Sequence, residues 1–228
     1  VLDASGSSDP DTAYGDSIVS YAWDLDNDGQ FDDLVGTEAT VNLPWSALAT
    51  LARPNVANPI ALQVTDSFGV TQTASTTLTI TPASLGAVDS LELVAQNPSQ
   101  GDLWYQLQST HQGYLTIVAM MSGLPETVSL SLYAANRSEP PLAVSTVVDG
   151  TPRIDYLTDA GLTYLLKLSG TSTDVSLRLA NLVQKNGTNV TVAGTANVDS
   201  FAFDASSGRT ITVNGVEYHY TAEEVTTV

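Results

Sequence analysis

The chain has 228 residues, 43% of them hydrophobic, and carries 7 Lys+Arg against 25 Asp+Glu, for a net charge of −18. Such a surface repels nucleic-acid phosphates and anionic lipid, and no apolar run reaches the roughly eighteen residues of a membrane helix, so neither nucleic acid nor membrane insertion is expected. Cysteine is absent, which rules out disulfides and leaves export without a redox signature.

The length suits one large or two to three small domains. The start, Val1-Leu2-Asp3, carries neither an initiator Met nor a signal peptide, and is expected to belong to a longer or processed protein. Periodicity is that of strands almost throughout. Ile18–Trp23 is followed by the run Trp23-Asp24-Leu25-Asp26-Asn27-Asp28-Gly29-Gln30-Phe31-Asp32-Asp33, which places five carboxylates within ten residues around one glycine. The spacing Asp-x-Asp-x-Asp-Gly is that of a calcium loop: Asp24, Asp26 and Asp28 point inward, Gly29 permits the sharp turn, and the Gln30 carbonyl supplies a further oxygen. Asp32 and Asp33 are in place to close the shell. Val35 stands where a complete EF-hand loop carries its bidentate Glu, so the motif is partial. The competing reading is an acidic, solvated turn without metal.

A short helical turn is expected near Trp45–Leu51. Alternation then resumes in Ile60–Thr65 and Thr76–Thr81, and Pro82–Ala87 reads as a linker. Further alternating runs follow at Val128–Tyr133, Tyr164–Ser169 and Val175–Ala180. Small polar partners in these runs mean one buried and one wet face, as in antiparallel sandwiches. Asn186-Gly187 and Asn214-Gly215 stand between strand-like runs and predict two-residue hairpins, because both residue types tolerate positive φ. The expected division is 1–82, 87–183 and a tail, 184–228, too small to bury a core alone and bound to dock on a neighbour.

The first segment resembles the PKD domain, an immunoglobulin-like β-sandwich common in bacterial surface and secreted proteins. The residues that carry this are Leu2-Asp3-Ala-Ser-Gly-Ser-Ser-Asp9-Pro-Asp11, Ile18-Val-Ser-Tyr21-Ala-Trp23-Asp24 and Leu62-Gln-Val-Thr-Asp66-Ser-Phe-Gly69. The resemblance implies Trp23 in the core between sheets. It also implies a second calcium site from Asp9, Asp11 and Asp66, separate from the Asp24–Asp33 loop. The second segment resembles the bacterial pre-peptidase C-terminal domain, a jelly-roll-like sandwich, through Asp102-Leu-Trp-Tyr-Gln-Leu, Gly113-Tyr-Leu-Thr-Ile, Val128–Tyr133, Asp155–Gly170 and Val175–Leu179. Gly194–Phe201 with Thr212–Val216 is similar to the lead-in of repetitive β regions in large bacterial surface proteins, planctomycetes among them.

Neither His111 nor His219 lies in a nucleophile motif, and His219 sits between two tyrosines on a hairpin strand, as a surface histidine would. No His-Glu-x-x-His, Cys/His cluster, phosphate-binding glycine loop or Gly-x-Ser-x-Gly occurs. Carboxylate pairs for glycoside hydrolysis could be drawn from the Asp-rich loops, but a bound cation would depress their pKa values and spoil them as general acids. Trp45, Trp104 and the tyrosines either stack on sugars or fill cores and sheet edges. Asn136-Arg-Ser, Asn186-Gly-Thr and Asn189-Val-Thr match the glycosylation sequon and are read as coincidental in a bacterial protein.

The expectation is therefore an all-β chain of tandem sandwiches, immunoglobulin-like then jelly-roll-like, with a short β tail. It would be a non-enzymatic, calcium-stiffened structural, adhesion or assembly module of a larger extracellular or cell-surface protein. Partners would be other domains of that protein, other copies of the chain, or surface glycans. The alternative is an accessory region, positioning or carbohydrate-binding, of a secreted hydrolase.

Overall fold

The computed structural model describes residues 1–43, 54–122, 124–135 and 140–228. Strands form 58% of the chain and helix 4%, which settles an all-β class. No described helix is long and apolar enough to cross a membrane. The expected turn at Trp45–Leu51 and the Asn136 sequon lie outside the described residues. The chain divides into two compact units, Val1–Thr81 and Pro82–Val228.

In the first unit, β1 (Leu2–Asp3) pairs with β4 (Thr40–Val41). A second, four-stranded antiparallel sheet runs β3 (Leu34–Gly36), β2 (Ile18–Asp24), β5 (Ala57–Asp66), β6 (Thr71–Thr79). Their shared core gathers Leu2 and Ala4 from the small sheet's side and Trp23, Leu25 and Ile60 from the large one. Trp23, at 6% exposure, is the largest side chain in it. Polar Thr, Ser and Gln dominate β6, so its outer surface stays wet and only Leu78 among them packs on the core.

The second unit is a sandwich. One sheet is ordered β12 (Ala143–Val144), β11 (Val128–Ala134), β15 (Thr163–Gly170), β9 (Leu103–Ser109), β7 (Ala83–Val88). The other is ordered β13 (Thr146–Val148), β14 (Thr151–Thr158), β10 (Gly113–Met121), β16 (Val175–Asn186), β17 (Asn189–Val192). β8 (Ser90–Gln96) pairs with the first half of β16 and β17 with its second half. Inward leucines of both sheets meet in one core: Leu107, Leu130, Leu166 and Leu168 face Leu115, Ile117, Ile154, Leu177 and Leu179. Burying such a side chain fully is worth about 1.5–3 kcal/mol, so this cluster is the main source of the unit's stability.

Two expectations need correction. Pro82–Ala87 is no linker: Ala83–Val88 forms β7, which pairs parallel with β9. The 183/184 boundary cuts through β16, which runs to Asn186. Beyond β17, a three-stranded sheet of β18 (Phe201–Asp204), β19 (Arg209–Val213) and β20 (Val216–Tyr220) covers the outer face of β16. Ala180, Leu182 and Val183 of β16 share a core with Ile211, Val213, Val216, Tyr218 and Val225. β16 is therefore buried on both faces, which explains its unbroken run of buried residues from Leu179 to Val183.

The β19–β20 hairpin closes through Asn214 and Gly215, both at positive φ (49° and 76°), between the paired Val213 and Val216. In the β16–β17 hairpin, Asn186 pairs with Asn189, so the two loop residues are Gly187 and Thr188, one step later than the Asn-Gly spacing suggests.

Candidate metal centre

The acidic loop leaves β2 at its last residue, Asp24, and returns at β3. Asp24 is 2% exposed, because the register pairs it with Ala61 of β5 and the neighbouring Trp23 and Leu25 are both core residues. Its Oδ2 accepts the backbone N–H of Gly29 at 3.0 Å. Gly29 stands at φ 88°, a left-handed conformation that glycine adopts without steric cost, and this is what turns the chain back on itself. Asp33 Oδ2 accepts from the N–H of Leu25 (2.6 Å) and of Asp26 (3.1 Å). Asp26 Oδ1 accepts the N–H of Asp28. The carboxylates of Asp24, Asp26 and Asp33 thus converge, each offering an oxygen within 4.8 Å of the others.

Three carboxylates this close repel one another. The Asp28 N–H holds the Asp26 carboxyl down. Loss of hydration and the charges of Asp33, Asp28 and Asp24 outweigh it, and the Asp26 pKa lies above its ordinary 3.8. Asp24 Oδ1 is buried and has no hydrogen-bond partner. A buried, unsatisfied carboxylate oxygen costs at least as much as an unpaired neutral acceptor, about 1–3 kcal/mol and more when charged. Oxygen-only donors, an excess of negative charge and an orphaned buried oxygen are the donor set of a hard divalent cation, with calcium tolerant of irregular geometry.

Of the six residues drawn from the motif, Asp24, Asp26 and Asp33 are brought together. Asp28 and Gln30 are turned on each other, with Asp28 Oδ1 accepting the Gln30 N–H at 2.8 Å and Oδ2 its side-chain amide at 3.1 Å. Asp28 and Asp32 lie outside the converging group of side chains.

The second set differs in one member. Asp9 and Asp66 converge with Asp16, not with Asp11. Asp11 is exposed and only its backbone is engaged, donating to Asp9 Oδ1 at 2.8 Å. Asp16 is 7% exposed and its Oδ1 accepts from Ser17 N, Ser67 N and Ser67 Oγ. Asp66 Oδ1 accepts from the N–H of Phe68 and of Val70, and Asp9 Oδ2 is shielded from solvent without a partner. These groups border a recess of about 400 Å³. No sequence motif marks Asp16. The signal is topological: Ile18 pairs with Asp66 across β2 and β5, which puts the residues just before β2 beside those just after β5.

The aromatic residues divide by position. Trp104 is buried, tilted against Tyr133 with ring centroids 5.4 Å apart. Tyr114, Tyr218 and Tyr220 gather instead where β20 crosses the outer face of the second unit. Trp45 lies outside the described residues.

No protein-family model matches the chain, and no curated relative does. Among solved structures, the chain is similar to the pre-peptidase C-terminal domain of a collagenase from Bacillus anthracis. The identity is 11% over 43% of this chain and 92% of that one, at a TM-score of 0.34. It is similar also to PliG, a periplasmic inhibitor of g-type lysozyme from Aeromonas hydrophila (13%, 43% and 97%, TM-score 0.30). A third similarity is to carbohydrate-binding modules of the β-sandwich superfamily (16%, 78% and 88%, TM-score 0.25). Likeness at this level assigns neither a family nor a ligand to this chain.

Proposed function

We propose that this chain is a non-catalytic structural or adhesion module of a larger extracellular protein of bacterial type, and that calcium stiffens its first unit. The observation that carries the reading is the Asp24 carboxylate: 2% exposed, with one oxygen committed to Gly29 and the other unpartnered, in a side chain that converges with those of Asp26 and Asp33. An ion held by these three residues would satisfy the orphaned oxygen and cancel the repulsion that raises the Asp26 pKa. It would also fix the hairpin-like excursion between β2 and β3. Backbone carbonyls and water complete such shells when fewer than six side-chain oxygens converge.

The physical role follows from the strands the loop joins. β2 carries Trp23 into the core and β3 is the edge of the four-stranded sheet. An ion that closes the loop holds an edge strand of only three residues in register, where its own pairing is weak. The acidic surface, with 25 carboxylates against 7 basic residues, suits a calcium-rich, saline medium that screens its self-repulsion.

Calorimetric titration of the metal-free chain with calcium, paired with thermal unfolding, tests the reading. Saturable binding with a rise in the melting temperature of Val1–Thr81 supports it. Magnesium should substitute poorly, because it demands near-ideal octahedral geometry that this irregular set does not offer.

A further inference from the structure

The second unit holds a recess that the proposed structural role leaves unused. It lies where β20 overhangs the outer face of β10 and β14. Its volume is about 190 Å³, and its walls are Tyr114, Arg153, Asp155, Tyr218, His219 and Tyr220. Arg153 and Asp155 alternate with the inward Ile154 on β14, so both project from the outer face. They form a fixed, two-pronged ion pair: Arg153 Nε donates to Asp155 Oδ2 at 2.7 Å and Nη2 donates to Oδ1 at 2.9 Å. Thr116, the register partner of Asp155 on β10, donates to the same Oδ1 at 2.7 Å. Arg153 also donates to the Glu217 carbonyl at 2.6 Å and lies 5.2 Å from the centre of the Tyr218 ring.

The combination of lining groups points to a ligand. Tyr218, 4% exposed, forms the floor, and burial pushes its phenol up to about 12. Tyr114 and Tyr220 are only partly buried and offer apolar ring surface. The Arg153–Asp155 pair offers donors and acceptors side by side in one plane, with little net charge. His219, with its side chain 48% exposed at the rim, adds a group able to donate or accept.

We infer that this recess is a binding subsite for one ring of a neutral saccharide. Adjacent hydroxyls of a sugar ring bond the Asp155 carboxylate and the Arg153 guanidinium, while the C–H face of the ring lies on Tyr114 or Tyr220. Small-molecule sites have this character: mostly apolar walls with a few placed polar groups. The volume equals roughly six waters at about 30 Å³ each, the scale of a single ring and not of a folded peptide. A net charge of −18 argues against an anionic ligand, and the internal pairing of Arg153 with Asp155 removes the charge that a cation would seek. This inference does not rest on the calcium reading, since every residue of the recess belongs to Pro82–Val228.

The test is a titration of the whole chain, by calorimetry and by NMR shift perturbation, with neutral trisaccharides (maltotriose, cellotriose, xylotriose, mannotriose) and with glucosamine and glucuronate as charged probes. At least one neutral sugar should saturate with a dissociation constant on the order of 1 mM, the range for a single ring in a shallow site. Tyr220→Ala and Asp155→Asn should each weaken it about tenfold. His219→Ala, at the exposed rim, should weaken it about threefold with the melting curve unchanged. Chelation of calcium should leave the affinity intact, which separates this claim from that of the metal centre. Three results overturn it: no saturable binding by any neutral sugar, affinity unchanged in the well-folded His219→Ala and Tyr220→Ala proteins, or preference for a charged probe.

Discussion

Asp33 accepts the backbone N–H of Leu25 at 2.6 Å, tying the last carboxylate of the acidic loop to a residue that is itself in the core of the first unit. The end of the loop is thereby held at the core, and of its carboxylates Asp24, Asp26 and Asp33 converge. Strand register buries Asp24 between Trp23 and Leu25. Its orphaned Oδ1 is what a cation between Asp24, Asp26 and Asp33 would explain.

Replacing Asp24 with Asn should reverse sign with calcium. Asn keeps the acceptor for the Gly29 N–H and removes a buried charge, so without calcium the Asp24→Asn protein should melt at or above the parent. With about 1 mM calcium it should melt below the parent, having lost a linkage contribution of about 1.4–2.7 kcal/mol. Differential scanning calorimetry in chelator and in calcium reads both halves of this prediction.

The pH dependence follows from Asp26: against the lowering effect of the Asp28 N–H, loss of hydration and then its neighbours' charges hold its carboxyl above 3.8 in the folded chain. A carboxyl raised on folding contributes stability that is fully present below its unfolded pKa and is lost as pH rises through the folded value. In chelator, Asp26→Asn should therefore melt above the parent near neutral pH, and the gap should close as pH falls below about 4. In calcium the protons compete with the ion, so the calcium-dependent gain in the parent should fade over the same range. Melting curves of both proteins at several pH values decide this. A gap that widens on acidification would contradict it.

Gly113 opens β10 at φ 144°, and an added Cβ would lie 2.4 Å from the Val183 carbonyl oxygen. That oxygen belongs to the backbone of β16 and cannot swing away. Gly113→Ala should cost several times more stability than Gly187→Ala, where a Cβ meets nothing within 4 Å and only the positive φ opposes the side chain, at about 1 kcal/mol. Urea unfolding of the two variants makes the comparison.

Trp23→Ala should cost about 3–5 kcal/mol, as large-to-small core changes do, and should fall on the first unit alone. Tryptophan and tyrosine signals of Val1–Thr81 should be lost at lower denaturant, while the transition of Pro82–Val228 holds its position. Ile211→Ala, 2% exposed beneath the three-stranded sheet, should do the converse. The core that Ile211 shares with Ala180 and Leu182 of β16 is interdependent, so the variant should loosen the tail and β16 together in hydrogen exchange.

Alternating runs such as Leu130–Leu132, Leu166–Leu168 and Leu177–Leu179 announced the sandwich directly, because a half-buried antiparallel strand writes its two faces into the sequence with period two. Asn214-Gly215 announced its hairpin for the same local reason, both residues accepting positive φ. β7 stayed hidden. Gly86, at φ 68°, sits at a register shift against β9, and Leu85 and Val88 reach the core three residues apart, so the period is broken where it would have been read. The end of the middle segment was obscured by β16, whose even-numbered residues turn from wet to buried at Ala180 only because the tail covers them. At the candidate metal centre, the convergence of Asp24, Asp26 and Asp33 lies within one loop whose spacing is visible in the sequence. Asp16 was not legible there, since its place beside Asp66 depends on the pairing of β2 with β5, a contact some fifty residues apart in the chain. Local chemistry is visible in a sequence and cross-strand chemistry is visible only once the register is known.

The most direct test of the account is calcium titration of the metal-free chain, with the melting of the first unit followed alongside. An extracellular-type site lacking the twelfth-position Glu should bind with a dissociation constant on the order of 10⁻⁵–10⁻⁴ M. Saturation should raise the melting temperature of Val1–Thr81, leave that of Pro82–Val228 in place, and disappear in Asp24→Asn. No binding heat up to about 1 mM calcium, with melting curves that superimpose in calcium and chelator, would contradict it.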